Sequence, residues 1–523
     1  MRTREVRLFS IPDVVHIDPD IGPVSAGALS AAAIPREQRG MLELAADVGM
    51  SKPDELTWGD WTVFLLHTAA EIEHALMVQY LYAAWSLADG GFPGPAPPPD
   101  AGAVVKRWQR TLVGIAKEEM AHLLTVQNLL RFVGGPLNLE REDFPFRAFL
   151  YPFPLRLEPL TRTALAKYVA AEMPAPPQEP PEIILEIVER ATAAAGGLPI
   201  NRVGVLYDEL TGIFADEARL ADSQLRPETA DTFQAGKNDW LGFGSLLVCT
   251  VRSRAEAVAA LRAIGEQGEG SASPPAESPP SHFDRLLEIY RSFPETEGPF
   301  ATVTWMPTRS VPSNPNTLYH RSTDAELERG RITHPTTRLW AHLFNLRYRM
   351  LLVDLTHALH LPGPLVVDGT PTARGRLRDW TFQEMRGRGQ GAPGHRPDPH
   401  TASPEAGAGA RRILSTRARR SSFPTPLPCR TTNATAGVST WALLDTSSEL
   451  VAKLRAAGES EELLDELTAI DLAAKALVEA QLASQQRGQG GEGDPLLGGR
   501  RSRSRVLPGR VRAGRGAPAL RPH

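Results

Sequence analysis

The chain has 523 residues, 42% of them hydrophobic and 23% charged, with a formal net charge of −4. That length can form roughly two or three domains with sizeable cores, and the charge balance gives no reason to expect nucleic acid as a partner of the whole molecule. Two cysteines, Cys249 and Cys429, exclude a disulfide framework and fit a reducing compartment. Asp13, Asp18 and Asp20 interrupt any secretory apolar core near the start. No apolar run is long enough to span a bilayer, so a cytoplasmic protein with no membrane partner is expected.

Residues 1–56 read as an N-terminal extension of short extended pieces and loops. From Trp58 to about Asp89, Leu, Ala, Met and Glu dominate, which predicts a long helix, and the GGFPGPAPPP stretch from Gly90 to Pro99 breaks it. A second long helix is predicted from about Ala103 to Val133, stopped by Gly134-Gly135-Pro136. An irregular Pro- and Phe-rich crossing follows, with further Pro-rich linkers at 173–181 and 274–280. Helices are expected around Arg202–Asp222 and Ser253–Gln267, from near Ser281, and over Thr337–His360. This order predicts a mainly α protein, a helical bundle with a long crossover between its halves, spanning residues 57–386. Residues 387–446 are expected to be disordered; within them 387–425 has almost no apolar periodicity and reads as an insertion or a shifted reading frame in a GC-rich gene. Residues 447–486 read as a C-terminal helical segment and 487–523 as a disordered basic tail.

The second helix carries the chemistry. Trp108, Leu112, Ile115, Glu119, His122, Val126, Leu129 and Val133 follow alternating steps of four and three, which is the core-facing seam of a helix. A carboxylate in such a seam is costly unless it is paired, hydrogen-bonded or bound to a metal. Glu119 and His122 stand one turn apart, as a metal-binding Glu-x-x-His pair does, although a buried Glu–His hydrogen bond is the plainer alternative.

The first helix has a similar seam of Leu66, Ala69, Glu73, Leu76, Tyr80 and Ala83, again with a central carboxylate. Glu71 and His74 form a rival Glu-x-x-His on a neighbouring face. Glu73 is preferred because it stands seven residues before Tyr80, as a glutamate of the first ferritin helix stands before a tyrosine; Glu71 and His74 then become supporting polar residues. In the second half, Glu266 is read as a ligand with His282 as its nitrogen partner, and Glu269 competes with Glu266. Glu209, between Leu206 and Ile213, is a further candidate carboxylate. The alternative is that Glu266 and Glu269 merely end a solvated helix and His282 caps the next.

Together these residues resemble the ferritin-like domain family named for iminophenyl-pyruvate dimer synthase. The matching features are Glu71-Ile72-Glu73-His74, Gln79-Tyr80-Leu81, Glu118-Glu119-Met120-Ala121-His122 and Gly204-Val205-Leu206-Tyr207. They continue with Ala263 to Gly270 (AIGEQGEG), Ser281-His282-Phe283 and Phe344 to Leu351 (FNLRYRML), covering roughly residues 55–385. Two departures stand out: Pro279 occupies the position that would complete a second Glu-x-x-His with His282, and Val205 stands where relatives often carry an acid.

The resemblance implies a ferritin-like bundle holding two non-haem irons, with manganese as the alternative metal. Its ligands would be Glu73, Glu119, His122, Glu266 and His282, with Glu119 bridging and Tyr80 as a supporting donor. It further implies a di-iron oxidase, oxygenase or oxidative coupling enzyme that uses dioxygen and a small, aromatic amino-acid-derived substrate. A non-catalytic metal-binding or scaffold protein is the competing expectation.

Overall fold

The computed structural model describes residues 51–386, apart from 93, 95, 142–149, 178, 199, 238–245, 271–278, 298–304 and 319, together with residues 433–489. Helix α1 (Trp58–Ser86) starts where Thr57 accepts a hydrogen bond from the Asp60 amide. Helix α2 (Ala101–Phe132) ends before Gly134, whose φ of +72° suits glycine and turns the chain out of the helix. The two helices run antiparallel: Gln109 reaches the carbonyl of Ala84 while, further along, His122 meets Glu73. The predicted seam of α1 is buried throughout, and that of α2 is buried except for half-buried Val133.

The other half of the bundle is built from shorter pieces. They are α3 (Arg162–Ala171), α4 (Pro181–Ala194), α5 (Val203–Ala215), α6 (Arg254–Gly268) and α7 (His282–Ser292). Helix α5 packs on α6 and α1, α3 packs on α4 and α7, and α7 reaches α2. Side-chain caps start three of these helices: Thr161 for α3, Ser253 for α6, and a Ser281–Asp284 capping box for α7. Helices α3 and α4 flank the predicted 173–181 linker, in stretches where no helix is expected from the sequence. The ten residues of α3 are too few to show a strong period, and prolines close in on its end.

Beyond the bundle core come α8 (Pro335–His360), a small antiparallel pair β1 (Val366–Val367) and β2 (Thr370–Pro371), and α9 (Ala373–Arg386). Helices α10 (Asn433–Ala456) and α11 (Glu461–Gln489) follow. The expected C-terminal helix is thus two helices, and it begins before residue 447. Residues 433–446, expected to be disordered, are helical. Gly458, at φ +74°, separates the two, and the Glu459 amide returns to the Leu454 carbonyl in the turn that ends α10.

This pair docks on α8. Trp340 and Leu343 pack with Val451, Leu454, Leu463, Leu464 and Leu467, while the buried guanidinium of Arg347 binds Glu384, Ser447 and Asp471. The remaining disorder expectations, for 387–432 and for the tail from 490, lie outside the described residues, as does most of the N-terminal extension. Residues to Val478 cluster as one unit, and 479–523 form a second of which only the end of α11 is described. Among the described residues no helix is long and apolar enough to cross a membrane.

Two buried histidines of α1 make the fold sensitive to acid. Burial, aided by the charge of Arg141, pushes His74 down to about 3, and burial pushes His67 down to about 4. A carbonyl only accepts, so His74 donates from Nδ1 to the Leu139 carbonyl at 2.9 Å, leaving Nε2 to accept from the Tyr348 hydroxyl. The neutral ring is therefore the one that fits.

Because the folded pKa lies below the unfolded value, stability is full above about pH 6.5 and falls as the unfolded chain takes up protons that the folded chain refuses. Each histidine should cost about 2 kcal/mol at pH 5. Urea unfolding at pH 7.5 and pH 5 should therefore show a loss that shrinks by about that amount in His74→Gln; an unchanged loss in the variant would contradict this assignment.

Candidate metal centre

Five acid and imidazole side chains meet inside the bundle. Glu73 comes from the middle of α1, Glu119 and His122 from the middle of α2, Glu172 from the residue that caps α3, and His282 from the first turn of α7. All five are at most 2% exposed. Glu172 follows Leu165 and Tyr168 by steps of three and four along the buried face of α3. Its carboxylate approaches α6 so closely that a Cβ on Gly268 would lie 2.8 Å from Glu172 Oε2.

Glu119 sits between two groups of ligand atoms. With Glu73 and His122 it forms one, and with Glu172 and His282 the other. His122 Nδ1 lies 3.0 Å from Glu119 and 3.3 Å from Glu73, while His282 Nδ1 lies 3.1 Å from Glu119 and 3.7 Å from Glu172. The imidazoles lie nearly parallel, with centroids 5.6 Å apart and planes 26° apart. Both outer nitrogens face acceptors: His122 Nε2 donates to Gln267 Oε1 at 2.8 Å, and His282 Nε2 donates to Glu118 Oε2 at 3.0 Å. Those bonds fix the tautomer and turn both Nδ1 lone pairs toward the carboxylates.

Lone pairs facing carboxylates at such distances repel unless a proton or a cation lies between them. Glu119 Oε1 and His282 Nδ1 are both buried and have no hydrogen-bond partner, although they stand 3.1 Å apart. Both belong to residues that line a common space. That space belongs to a cavity of about 10 Å³ bounded by the five residues, Tyr207 and Glu269, enough for about one water-sized particle. Orphaned donors, three carboxylates and two correctly turned imidazoles fit a metal better than a dry polar core. Two phenols complete the surroundings: Tyr80 donates to Glu172 at 2.9 Å, and Tyr207 donates to Glu73.

A ferritin-like family model matches residues 66–291, the stretch that contains all five side chains. The chain carries a ferritin-like domain.

Dichlorochromopyrrolate synthase of Lentzea aerocolonigenes is 26% identical over 326 residues, which are 55% of this chain and 30% of that protein. The 2-imino-3-(indol-3-yl)propanoate dimerase of Chromobacterium violaceum is 26% identical over 252 residues, 45% of this chain and 23% of that protein. The chain thus spans less than a third of either relative. These similarities agree with the resemblance to the iminophenyl-pyruvate dimer synthase group. A ferritin-like protein from Caulobacter vibrioides overlaps 62% of this chain and 93% of its own with a TM-score of 0.36 and 17% identity, too loosely to add weight.

Within this ferritin-like domain, Glu73, Glu119, His122 and His282 come together, and Glu266 does not join them. Glu266 is exposed on α6, off the buried line of Ala257, Leu261, Ile264 and Gly268. Glu172, which the sequence reading missed, stands in the cluster instead. Glu269 borders the cavity but is held by Arg202 at 3.2 Å and by the Gly204 amide at 3.0 Å. A Cβ on Gly204 would lie 2.1 Å from Glu269 Oε1, so a larger residue there would displace the Glu269 carboxylate. Glu209 is half-buried near Arg219, outside the cluster, and Glu71 binds Asn138 and Tyr151. His74 faces Leu139 and Tyr348.

Without metal, protons take the cation's place. Burial, reinforced by the charge of Glu119 and opposed by His122, pushes Glu73 up to about 8. Burial alone would lower both imidazoles, but the carboxylates outweigh it: Glu73 and Glu119 hold His122 up to about 10, and Glu119 leads in holding His282 well above its usual value. Burial would likewise raise Glu119, yet His282 and His122 keep it well below the usual carboxylate range.

A divalent cation must displace the protons on Glu73, His122 and His282, so binding should release more than one proton per chain at pH 7 and tighten as pH rises through about 8. Calorimetry in buffers of different ionisation enthalpy reads the proton count. Affinity that stays flat from pH 6 to pH 8 would contradict this electrostatic account.

Proposed function

We propose that the ferritin-like domain holds two non-haem irons and acts as an oxidoreductase on a small metabolite derived from an aromatic amino acid, with dioxygen as oxidant. The observation that carries the reading is the convergence of Glu73, Glu119, His122, Glu172 and His282 on one buried space, with both Nδ1 atoms turned into it. Glu73 and His122 would hold one ion, Glu172 and His282 the other, and Glu119 would bridge. Bound iron would supply one-electron redox chemistry that no side chain in the site provides.

The protein's own contribution is positional. Tyr207 and Tyr80 tie down the terminal carboxylates, Gln267 and Glu118 set the imidazole tautomers, and the apolar seams exclude bulk water. The substrate class rests on the two relatives, one of whose names specifies an indole-bearing imino acid that is dimerised. Coupling of such an imino acid is the closest chemical analogy for this site.

A second reading, a non-catalytic metal-binding or scaffold protein, draws support from the small cavity. A space for about one water cannot admit an aromatic molecule without movement of the surrounding helices.

Protein produced with iron should contain about two irons per chain, measured by elemental analysis beside an optical spectrum. Glu119→Ala should abolish this binding while leaving the metal-free fold intact or more stable, since it removes a buried acid from an apolar seam. Iron-supplied protein that stays metal-free, or a variant that binds as the parent does, would overturn the reading.

A further inference from the structure

The two halves of the cluster are close copies in composition. One has Glu73, His122 and shared Glu119, with a phenol from Tyr207 on its terminal carboxylate. The other has Glu172, His282 and shared Glu119, with a phenol from Tyr80. They differ in what holds the outer imidazole nitrogen. For His122 it is the neutral amide of Gln267, contributed by α6. For His282 it is Glu118, a carboxylate on α2 directly before the shared Glu119, and Arg285 binds that carboxylate from one turn further along α7.

We infer that the two halves bind metal unequally: the His282 half fills first, and Glu118, fixed by Arg285, is the positioning residue responsible. This rests on the metal reading above. A carboxylate accepting the outer N–H pushes electron density through the ring and makes Nδ1 a stronger donor, and its charge adds attraction for a cation a few ångströms away. An amide acceptor orients the ring without supplying that charge. Arg285 tempers the charge of Glu118 but keeps its Oε2 aimed at His282 Nε2. Glu118 and Arg285 are partly exposed, with side-chain accessibilities of 18% and 19%, as Gln267 of the other half also is.

The same comparison assigns different consequences to neighbouring residues of one motif. In Glu118-Glu119-Met120-Ala121-His122, Glu119 and His122 face the metal space, and Glu118 acts on the other half through His282. A single turn of α2 thereby contacts both metal positions and grades their strength.

The test is a calorimetric titration of metal-free full-length protein with iron(II) in the absence of dioxygen. Two binding steps separated by about tenfold or more are expected. Glu118→Gln should weaken the tighter step by about tenfold or more and leave the weaker one in place, so that the steps merge. Gln267→Glu should do the converse and strengthen the weaker step. Two equal steps in the parent, or an unchanged tighter step in Glu118→Gln, would overturn the inference while leaving the two-metal reading intact. No iron bound by the parent would overturn both. Circular dichroism of each variant separates a lost fold from a lost ligand environment, and Gln267→Glu gives an independent reading should Glu118→Gln fail to fold.

Discussion

Three carboxylates buried side by side need positive charge, and the bundle is organised around that need. Removing a carboxylate from water costs several kcal/mol unless a partner compensates. Glu73, Glu119 and Glu172 have between them two imidazoles and two phenols. Among the described residues no lysine or arginine lines the space to neutralise them; Arg202 and Arg285 stop at Glu269 and Glu118. The positive charge must arrive from solution as protons or metal ions, and the orientation of both histidines favours the metal. The carboxylate chemistry and the metal content are therefore one question.

The helix breaks serve the same end. In the first half, two unbroken helices carry Glu73, Glu119 and His122 at mid-length, where the backbone is most rigid. In the second half, the ends of α3 and α6 and the starts of α5 and α7 meet beside the cluster. Arg202, preceding α5, donates to the carbonyl of Met173 just past α3, and the first turn of α5 donates to Glu269 at the end of α6. Glycine at 204 leaves room for the Glu269 carboxylate, and glycine at 268 for that of Glu172. This leaves one wall of the site made of helix ends and loops, facing a wall of continuous helix.

The sequence made the rigid wall legible and the broken wall hard to read. Glu73, Glu119 and His122 interrupt long apolar seams, so the period of three and four exposes them, and the helices containing them fall within a few residues of expectation. His282 was accessible because it stands just past the 274–280 Pro-rich linker, where a helix is read to start near Ser281. Glu172 was hidden: it caps a ten-residue helix and is followed by Met173-Pro174, which reads as linker. The step from Leu165 through Tyr168 to Glu172 carries the same signal as the longer seams, over too few turns to stand out. Glu266 was chosen from its neighbourhood rather than its face, and its exposure on α6 follows from the buried line through Ile264 and Gly268. The C-terminal helices were visible as apolar periodicity, but their docking on α8 depends on Arg347, whose partners Glu384, Ser447 and Asp471 lie far apart in the chain.

Anomalous scattering at the iron absorption edge, from crystals of iron-loaded protein, tests the central claim most directly. The account predicts two peaks about 3.5–4 Å apart, flanking Glu119, one in contact with Glu73 and His122 and the other with Glu172 and His282. An absence of peaks in this space, or iron held at Glu266 instead, would contradict it.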